Sequence, residues 1–389
     1  MTIVVVGAGL AAGTAVTELR EQGHHERVVL FGAEPHLPYE RPPLSKGYLM
    51  GKEPLEKAFV HDAAWYADND VDVRVSTEVK AIDLDAKAVR TDAGEEPFDK
   101  LLLATGSSPR HLAMADDSKA PVAYLRTIEQ SDRLKAAFAD GTSLLVVGAG
   151  WIGLEVAAAA REAGCAVTVV ETADLPLLAV LGPEVAQVFA DLHRAHGVDL
   201  RLSSSLTPED LAGAGLVVVG IGAAPNIGLA EAAGLDVDNG VLVDETLRTS
   251  HPDVFAIGDI ANQQHPVLGR RVRVEHWDTA LQQGKVVARN LAGGDEPYEK
   301  LPYFFTDQYA LGMEYVGGVG PDGYDRVVVR GEPKPDDGGV FTAFWLRGGR
   351  VEAGMQVNDW DATDAVKGLV GRDVDPDRLA DEDVPLSDV

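Results

Sequence analysis

The residues of this chain best placed to do chemistry are two sets of small residues at matched spacing. Gly7, Gly9 and Ala12 lie in VVVGAGLAAG, and Gly148, Gly150 and Gly153 lie in LLVVGAGWIGLE. Each set follows an apolar run and opens an amphipathic stretch, and a second apolar run then ends in an acid, Glu34 or Glu171. That pattern binds a dinucleotide. The first glycine permits a tight turn, the second lets a pyrophosphate approach the backbone, and the third small residue lets helix and strand pack closely. The helix N-terminus then faces the phosphates, and the acid can accept hydrogen bonds from a ribose diol. One GxGxxG is a weak signal; two in register, 141 positions apart, are hard to dismiss as packing glycines.

The elements that must position these residues repeat as well. Residues 2–34 and 143–171 each read strand, glycine turn, helix, strand, acid. Downstream, VDVRV at 71–75 matches VDLRL at 198–202, and LLLATG ending at Gly106 matches VVVGIG ending at Gly222. From that strand to the final glycine the first copy uses 35 positions and the second 24, so the second lobe is predicted to have lost an outer β-hairpin.

Ala104, Thr105 and Gly106, with TSHPDVFAIGD at 249–259, resemble the flavoproteins with two dinucleotide-binding domains, in which the first site holds FAD and the second NAD(P)H. PYERPPLSKGYL at 38–49 narrows the resemblance to the ferredoxin reductases of bacterial oxygenases and cytochromes P450, the rubredoxin reductases and apoptosis-inducing-factor-like proteins. YLRT at 124–127, GAGWIGLE at 148–155, VEHW at 274–277 and PYFFTDQY at 302–309 extend it along nearly the whole chain. The resemblance implies an α/β fold with two Rossmann-like domains and a C-terminal α+β domain. The expected boundaries are 1–111 plus 237–296 for FAD, 112–236 for NAD, and 297–389 for the third domain. Non-covalent FAD is expected at Gly7, Gly9, Ala12, Glu34 and the 104–106 turn, with Gly258 bringing backbone close and Asp259 accepting from the ribitol. Arg41 and Lys46 are implied to touch FAD, Lys46 near the isoalloxazine. Val79 should meet the adenosine end, Arg126 the flavin side of the lobe junction, and Trp277 the flavin ring. NADH is expected at Gly148, Gly150, Ile152, Gly153, Glu155, Glu171 and Gly222, with Glu155 beside the nicotinamide. One departure stands out. Relatives often carry arginines after the NAD-site acid, whereas ETADLPLLAVL at 171–181 has none. NADH is therefore predicted over NADPH, because a 2′-phosphate would meet an uncompensated carboxylate.

Lys46 and Glu155 are the predicted catalytic pair, one from each lobe. A charge inside an apolar helix needs a partner, and Lys46 is the natural one, clamping the two domains. The alternatives are a surface lysine and a solvent-facing acid in the first helical turn. The alternative for Trp277 is ordinary core, and Phe304 and Phe305 are more ambiguous between core and site. Arg270, Arg271 and Arg273 read as a solvated hairpin rather than a docking patch. Cys165 reads as buried and inert. The stretch 372–389, rich in aspartate, reads as solvated surface, partly disordered.

Composition limits the function. With 62 acidic against 34 basic residues the net charge is −28, which disfavours nucleic acid and anionic membranes. A single cysteine rules out an internal disulfide, a CxxC redox pair and disulfide reduction, and no metal site is expected. The apolar stretches at 1–19 and 141–160 read as strand-turn-helix units rather than a signal or a membrane span, so a cytoplasmic monomer or homodimer is expected. The resemblance implies hydride transfer from NADH to flavin N5, which needs no protein base, then electron delivery to a [2Fe–2S] ferredoxin or a rubredoxin. Two other readings stand beside it: reduction of a small acceptor such as a quinone, a radical or oxygen, and a redox-sensing binding module.

Overall fold

The computed structural model describes residues 1–320 and 323–389. Two compact units divide the chain. Met1–Pro42, Pro54–Ser108 and Ala223–Pro302 form the first; Pro43–Glu53, Pro109–Gly222 and Tyr303–Val389 form the second.

The first unit is built on a parallel sheet in the order Val254–Ala256, Lys100–Leu103, Thr2–Val6, Arg27–Phe31, Val71–Arg74. Its inner strands read as near-unbroken apolar runs because both faces are covered, and Ile3, Val4 and Val5 have no exposed surface, whereas the edge strand Val71–Arg74 reads VDVR. The chain leaves Thr2–Val6 through the glycine turn into the helix Leu10–Glu21 and returns as Arg27–Phe31. Strand order reverses beside Thr2–Val6, and a ligand crevice opens past the carboxyl ends of strands at such a reversal. The helix Trp277–Leu291 packs close to Leu10–Glu21 at Gly284, where a Cβ would stand 2.9 Å from Ala11 O.

The second unit repeats this plan in the order Asp199–Arg201, Val167–Val170, Leu144–Val147, Leu216–Val219, Val122–Ala123, again parallel. The excursion it lacks is larger than the hairpin inferred from length. In the first unit it is a three-stranded antiparallel sheet, Val79–Asp83, Ala88–Thr91 and Gly94–Pro97. In the second, a short helix, Pro208–Gly213, takes its place between Asp199–Arg201 and Leu216–Val219.

An antiparallel sheet completes the second unit, ordered Tyr303–Gln308, Leu311–Gly317, Arg350–Val357, Val340–Arg347, Arg326–Glu332. It buries a common core with the second parallel sheet: Leu154 and Phe189 cluster with Phe304, Met313 and Trp345. The Trp345 indole donates to Leu181 O at 2.9 Å. The acidic tail is ordered against this sheet rather than loose. Leu379 in the helix Pro376–Ala380 is fully buried, and Arg330 donates to Val384 O at 2.6 Å. The segment 43–53, assigned to the first domain from the sequence, belongs to the second unit. Ser131 Oγ donates to Leu44 O at 2.8 Å, and Leu49 joins the second core.

Candidate functional site

In the first unit the fingerprint glycines divide by cause. Gly7 has φ +113°, and a Cβ there would stand 2.1 Å from Ala104 O, so the protein's own backbone requires glycine. Gly9 is different. Its φ of −94° and ψ of −172° suit any residue, and nothing lies within 4 Å of an added Cβ. Neither conformation nor packing needs a glycine at that position, and its absence of a side chain leaves the backbone open to a ligand's approach. Ala12 is fully buried.

Around this turn, Glu34 accepts from Tyr39 Oη at 2.6 Å and from Arg41 at 2.9 Å. Burial opposes the Arg41 charge, but Tyr39 and Glu34 outweigh it and hold its pKa above the usual value. Asn226 braces the 104–106 turn: Thr105 Oγ1 donates to Asn226 O at 2.8 Å, and Asn226 N donates to Gly106 O at 2.9 Å. Gly258, at φ +70°, donates its N–H to Gln283 Oε1 at 2.8 Å, and Asp259 accepts from Ser107 Oγ at 2.7 Å. The Trp277 indole donates to Glu40 at 3.0 Å. Burial pushes His276 down to about 4, against the opposing pull of Asp259. Val79 is buried at the start of the outer antiparallel sheet. The arginine stretch is a hairpin, but a braced one: Arg271 donates to Asn262 O at 2.8 Å and Arg273 to Asp259 O at 3.0 Å.

The second unit repeats the division of glycines. A Cβ on Gly148 would stand 2.5 Å from Gly220 O, and one on Gly153 would stand 2.1 Å from Gly148 O. Gly150, at φ −80° and ψ −178°, has only Gly220 O within reach, at 4.0 Å. Ile152 is exposed beside it in the first helical turn. Glu171 accepts from Ala149 N at 2.7 Å and Ala173 N at 2.8 Å, so the acid is tied to the fingerprint loop itself. Gly222, at φ +99°, accepts from Arg110 N at 2.9 Å.

Lys46 and Arg126, which the sequence groups with the flavin residues, both belong to the second unit. There Lys46 pairs with Glu155, as the burial argument anticipates. The pair lies within one unit rather than clamping two, because segment 43–53 packs on the second core. Glu155 is only 5% exposed and sits in the second turn of Trp151–Glu162, not facing solvent in the first. Its other partners escape sequence reasoning: Ser45 Oγ and Thr306 Oγ1 each donate to it at 2.6 Å. Lys46 also lies 5.5 Å from the centre of the Phe305 ring. Phe304, the ambiguous neighbour, is core.

The arrangement therefore offers a dinucleotide cradle in each unit and a buried ion pair in the second. The one thiol, Cys165, is fully buried, and burial pushes its pKa up. Among the described residues no cluster could hold a metal ion, and no helix is long and apolar enough to cross a membrane.

Comparison with known proteins agrees with this geometry. Residues 1–284 match the pyridine nucleotide-disulphide oxidoreductase family, and residues 303–389 match the reductase C-terminal family. The ferredoxin–NAD(+) reductase component of the anthranilate 1,2-dioxygenase system of Burkholderia cepacia is 40% identical, over 98% of each chain. Rubredoxin–NAD(+) reductase of Pseudomonas putida is 34% identical over 85% of this chain and 89% of its own. Putidaredoxin reductase in its covalent complex with putidaredoxin superposes with a TM-score of 0.91 at 35% identity, over 99% of this chain and 97% of its own. The chain belongs to the pyridine nucleotide-disulphide oxidoreductases and, among them, to the FAD- and NADH-using ferredoxin–NAD(+) reductases.

Proposed function

We propose that this chain passes electrons from NADH through FAD to a [2Fe–2S] ferredoxin or a rubredoxin that serves an oxygenase or a cytochrome P450. The observation that carries this reading is the glycine at positions 9 and 150, which the fold does not require and a bound dinucleotide does. FAD, when bound, supplies chemistry that takes two electrons as a hydride and gives them up singly. The protein's part is positioning and electrostatics.

In this reading the loops at Gly9 and Gly150 receive the two pyrophosphates. Arg41, oriented by its hydrogen bonds to Tyr39 and Glu34, binds FAD, and Asp259 accepts from its ribitol. Val79 meets the adenosine end of FAD, Trp277 the flavin ring, and Arg126 serves the flavin side. Lys46 serves the isoalloxazine and Glu155 the nicotinamide, both held in place by their mutual pairing and by Ser45 and Thr306. Glu171 takes the ribose diol of NADH. The domain limits inferred from the sequence, with segment 43–53 moved to the second unit, and a cytoplasmic location belong to the same proposal.

Stopped-flow reduction by NADH, then reoxidation with a [2Fe–2S] ferredoxin, a rubredoxin and a quinone, tests it. Fast reoxidation by an iron–sulfur protein is expected. Fast turnover with the quinone alone would identify a small-molecule reductase. Slow turnover with every acceptor, together with a dimer formed only with NADH, would identify a redox-sensing module.

A further inference from the structure

Glu155 ends a chain of hydrogen bonds that runs back through the second unit. Thr306 Oγ1 donates to Glu155 Oε1 at 2.6 Å, and Gln308 Nε2 donates to Thr306 Oγ1 at 3.3 Å. Gln308 Oε1 lies 2.8 Å from His193 Nε2, and Tyr309 Oη lies 3.3 Å from His193 Nδ1. Thr306, Gln308 and His193 are at most 1% exposed.

Donor and acceptor capacity gives the chain one direction. A carboxylate only accepts, so the single hydroxyl hydrogen of Thr306 is committed to Glu155, and its oxygen takes the Gln308 amide hydrogen. The Gln308 carbonyl also only accepts, so His193 carries its proton on Nε2. Nδ1 is then an acceptor, and the Tyr309 hydroxyl donates to it. Four donors point toward one carboxylate. Burial keeps the imidazole neutral, pushing its pKa down to about 4.

An apolar core among Phe189, Met313 and Trp345 would do without these groups, and apolar replacements of buried polar clusters are often neutral or stabilising. A fully satisfied polar network, by contrast, fixes one geometry. We propose that Thr306, Gln308 and His193 are positioning residues that hold the Glu155 carboxylate in a single orientation for the nicotinamide, without touching the nucleotide themselves. The inference rests on the assignment of Glu155 to the nicotinamide made above.

The test uses the oxidised holoenzyme, titrated with NAD(+) and followed by flavin absorbance, with thermal unfolding alongside. Thr306→Val removes the hydroxyl at nearly constant volume, and Thr306→Ser restores it. Thr306→Val should weaken NAD(+) binding about ten-fold or more, the value of a hydrogen bond to a charged group, and Thr306→Ser should recover it to within about two-fold. Gln308→Leu should act in the same direction. In the wild type, nitrogen-15 chemical shifts should place the His193 proton on Nε2. If Thr306→Val binds NAD(+) as the wild type does while Glu155→Gln binds it weakly, the positioning chain is refuted and the role of Glu155 stands. Should Glu155→Gln itself bind normally, the assignment of Glu155 fails, and the inference with it. If Thr306→Val does not fold, Gln308→Leu and the His193 proton decide, and a proton on Nδ1 overturns the proposal.

Discussion

Replacing Gly150 by alanine separates the demands of the fold from those of the ligand. Its φ of −80° and ψ of −178° accept alanine, and the nearest heavy atom to the new methyl would be Gly220 O at 4.0 Å. The loss of chain freedom in the unfolded state stabilises such a replacement by ~0.4–1 kcal/mol. The preference for glycine over alanine at a helix N-cap offsets roughly that amount, so the unfolding midpoint should hardly move. The nucleotide fares differently. A methyl in the path of the pyrophosphate overfills the cradle, and overpacking costs about 1–3 kcal/mol, or about 5- to 150-fold in NADH affinity. Gly9→Ala should behave alike for FAD, yielding folded protein that has lost most of its flavin. Calorimetry and NAD(+) titration of the flavin-loaded enzyme measure the two effects separately. If Gly150→Ala unfolds more easily while its NADH affinity is unchanged, these glycines serve the fold, and the cradle argument is wrong.

Gly153→Ala should fail where Gly150→Ala succeeds: its Cβ would meet Gly148 O at 2.1 Å, so poor soluble yield or a sharply lowered midpoint is expected, and a normal midpoint would contradict the packing. Lys46→Met leaves the Glu155 charge buried without its cation, which costs about 3–5 kcal/mol, and should slow hydride transfer in stopped flow. Lys46→Met combined with Glu155→Leu should recover stability but not transfer, and recovery of both would leave the pair without a role. Glu171, with no arginine in 172–181, should give a specificity constant for NADH far above that for NADPH; equal constants would refute the assignment. His193 is neutral when folded down to a pKa of about 4, whereas the unfolded chain protonates it near 6.5. Between those values only the unfolded state binds the proton. Stability should therefore be full above pH ~6.5 and fall by up to about 3 kcal/mol toward pH 4. Denaturation midpoints across that range check this, and His193→Gln should flatten the slope.

Both cradles were legible in the sequence because their rules are local. Strand, turn and helix follow one another within about thirty residues, so the spacing of the small residues can be read without knowing the strands that Gly7 and Gly148 meet at Ala104 and Gly220. What was not legible depends on contacts across long stretches of chain. Segment 43–53 reads as part of the first lobe by position, and only the bond from Ser131 to Leu44 O and the burial of Leu49 reveal its place. The length difference between copies pointed to a missing excursion but could not reveal a three-stranded sheet in one unit and a helix in the other. Thr306 stood inside a motif that drew notice for its aromatics, and a threonine carries no sign of its partner 151 positions away. The tail misled through composition: its aspartates suggest disorder, while one leucine, Leu379, anchors it.

Function is most visible where this chain does something its fold does not ask for. From Val156 to Ala160 the second fingerprint helix is wholly buried and apolar, and an alanine or leucine at 155 would continue it. Glutamate stands there instead, and three more polar side chains, Ser45, Lys46 and Thr306, hold it by hydrogen bonds and an ion pair. A buried ion pair is weak evidence for stability, since well-packed apolar residues often do as well. The same reasoning applies to Gly9 and Gly150, where alanine would cost the fold almost nothing. Gly7, Gly148 and Gly153 are explained by the protein's own backbone and would be needed in an empty scaffold. Gly9, Gly150 and Glu155 have no such explanation in the protein's own packing, and it is on those three positions that the proposed nucleotide sites rest.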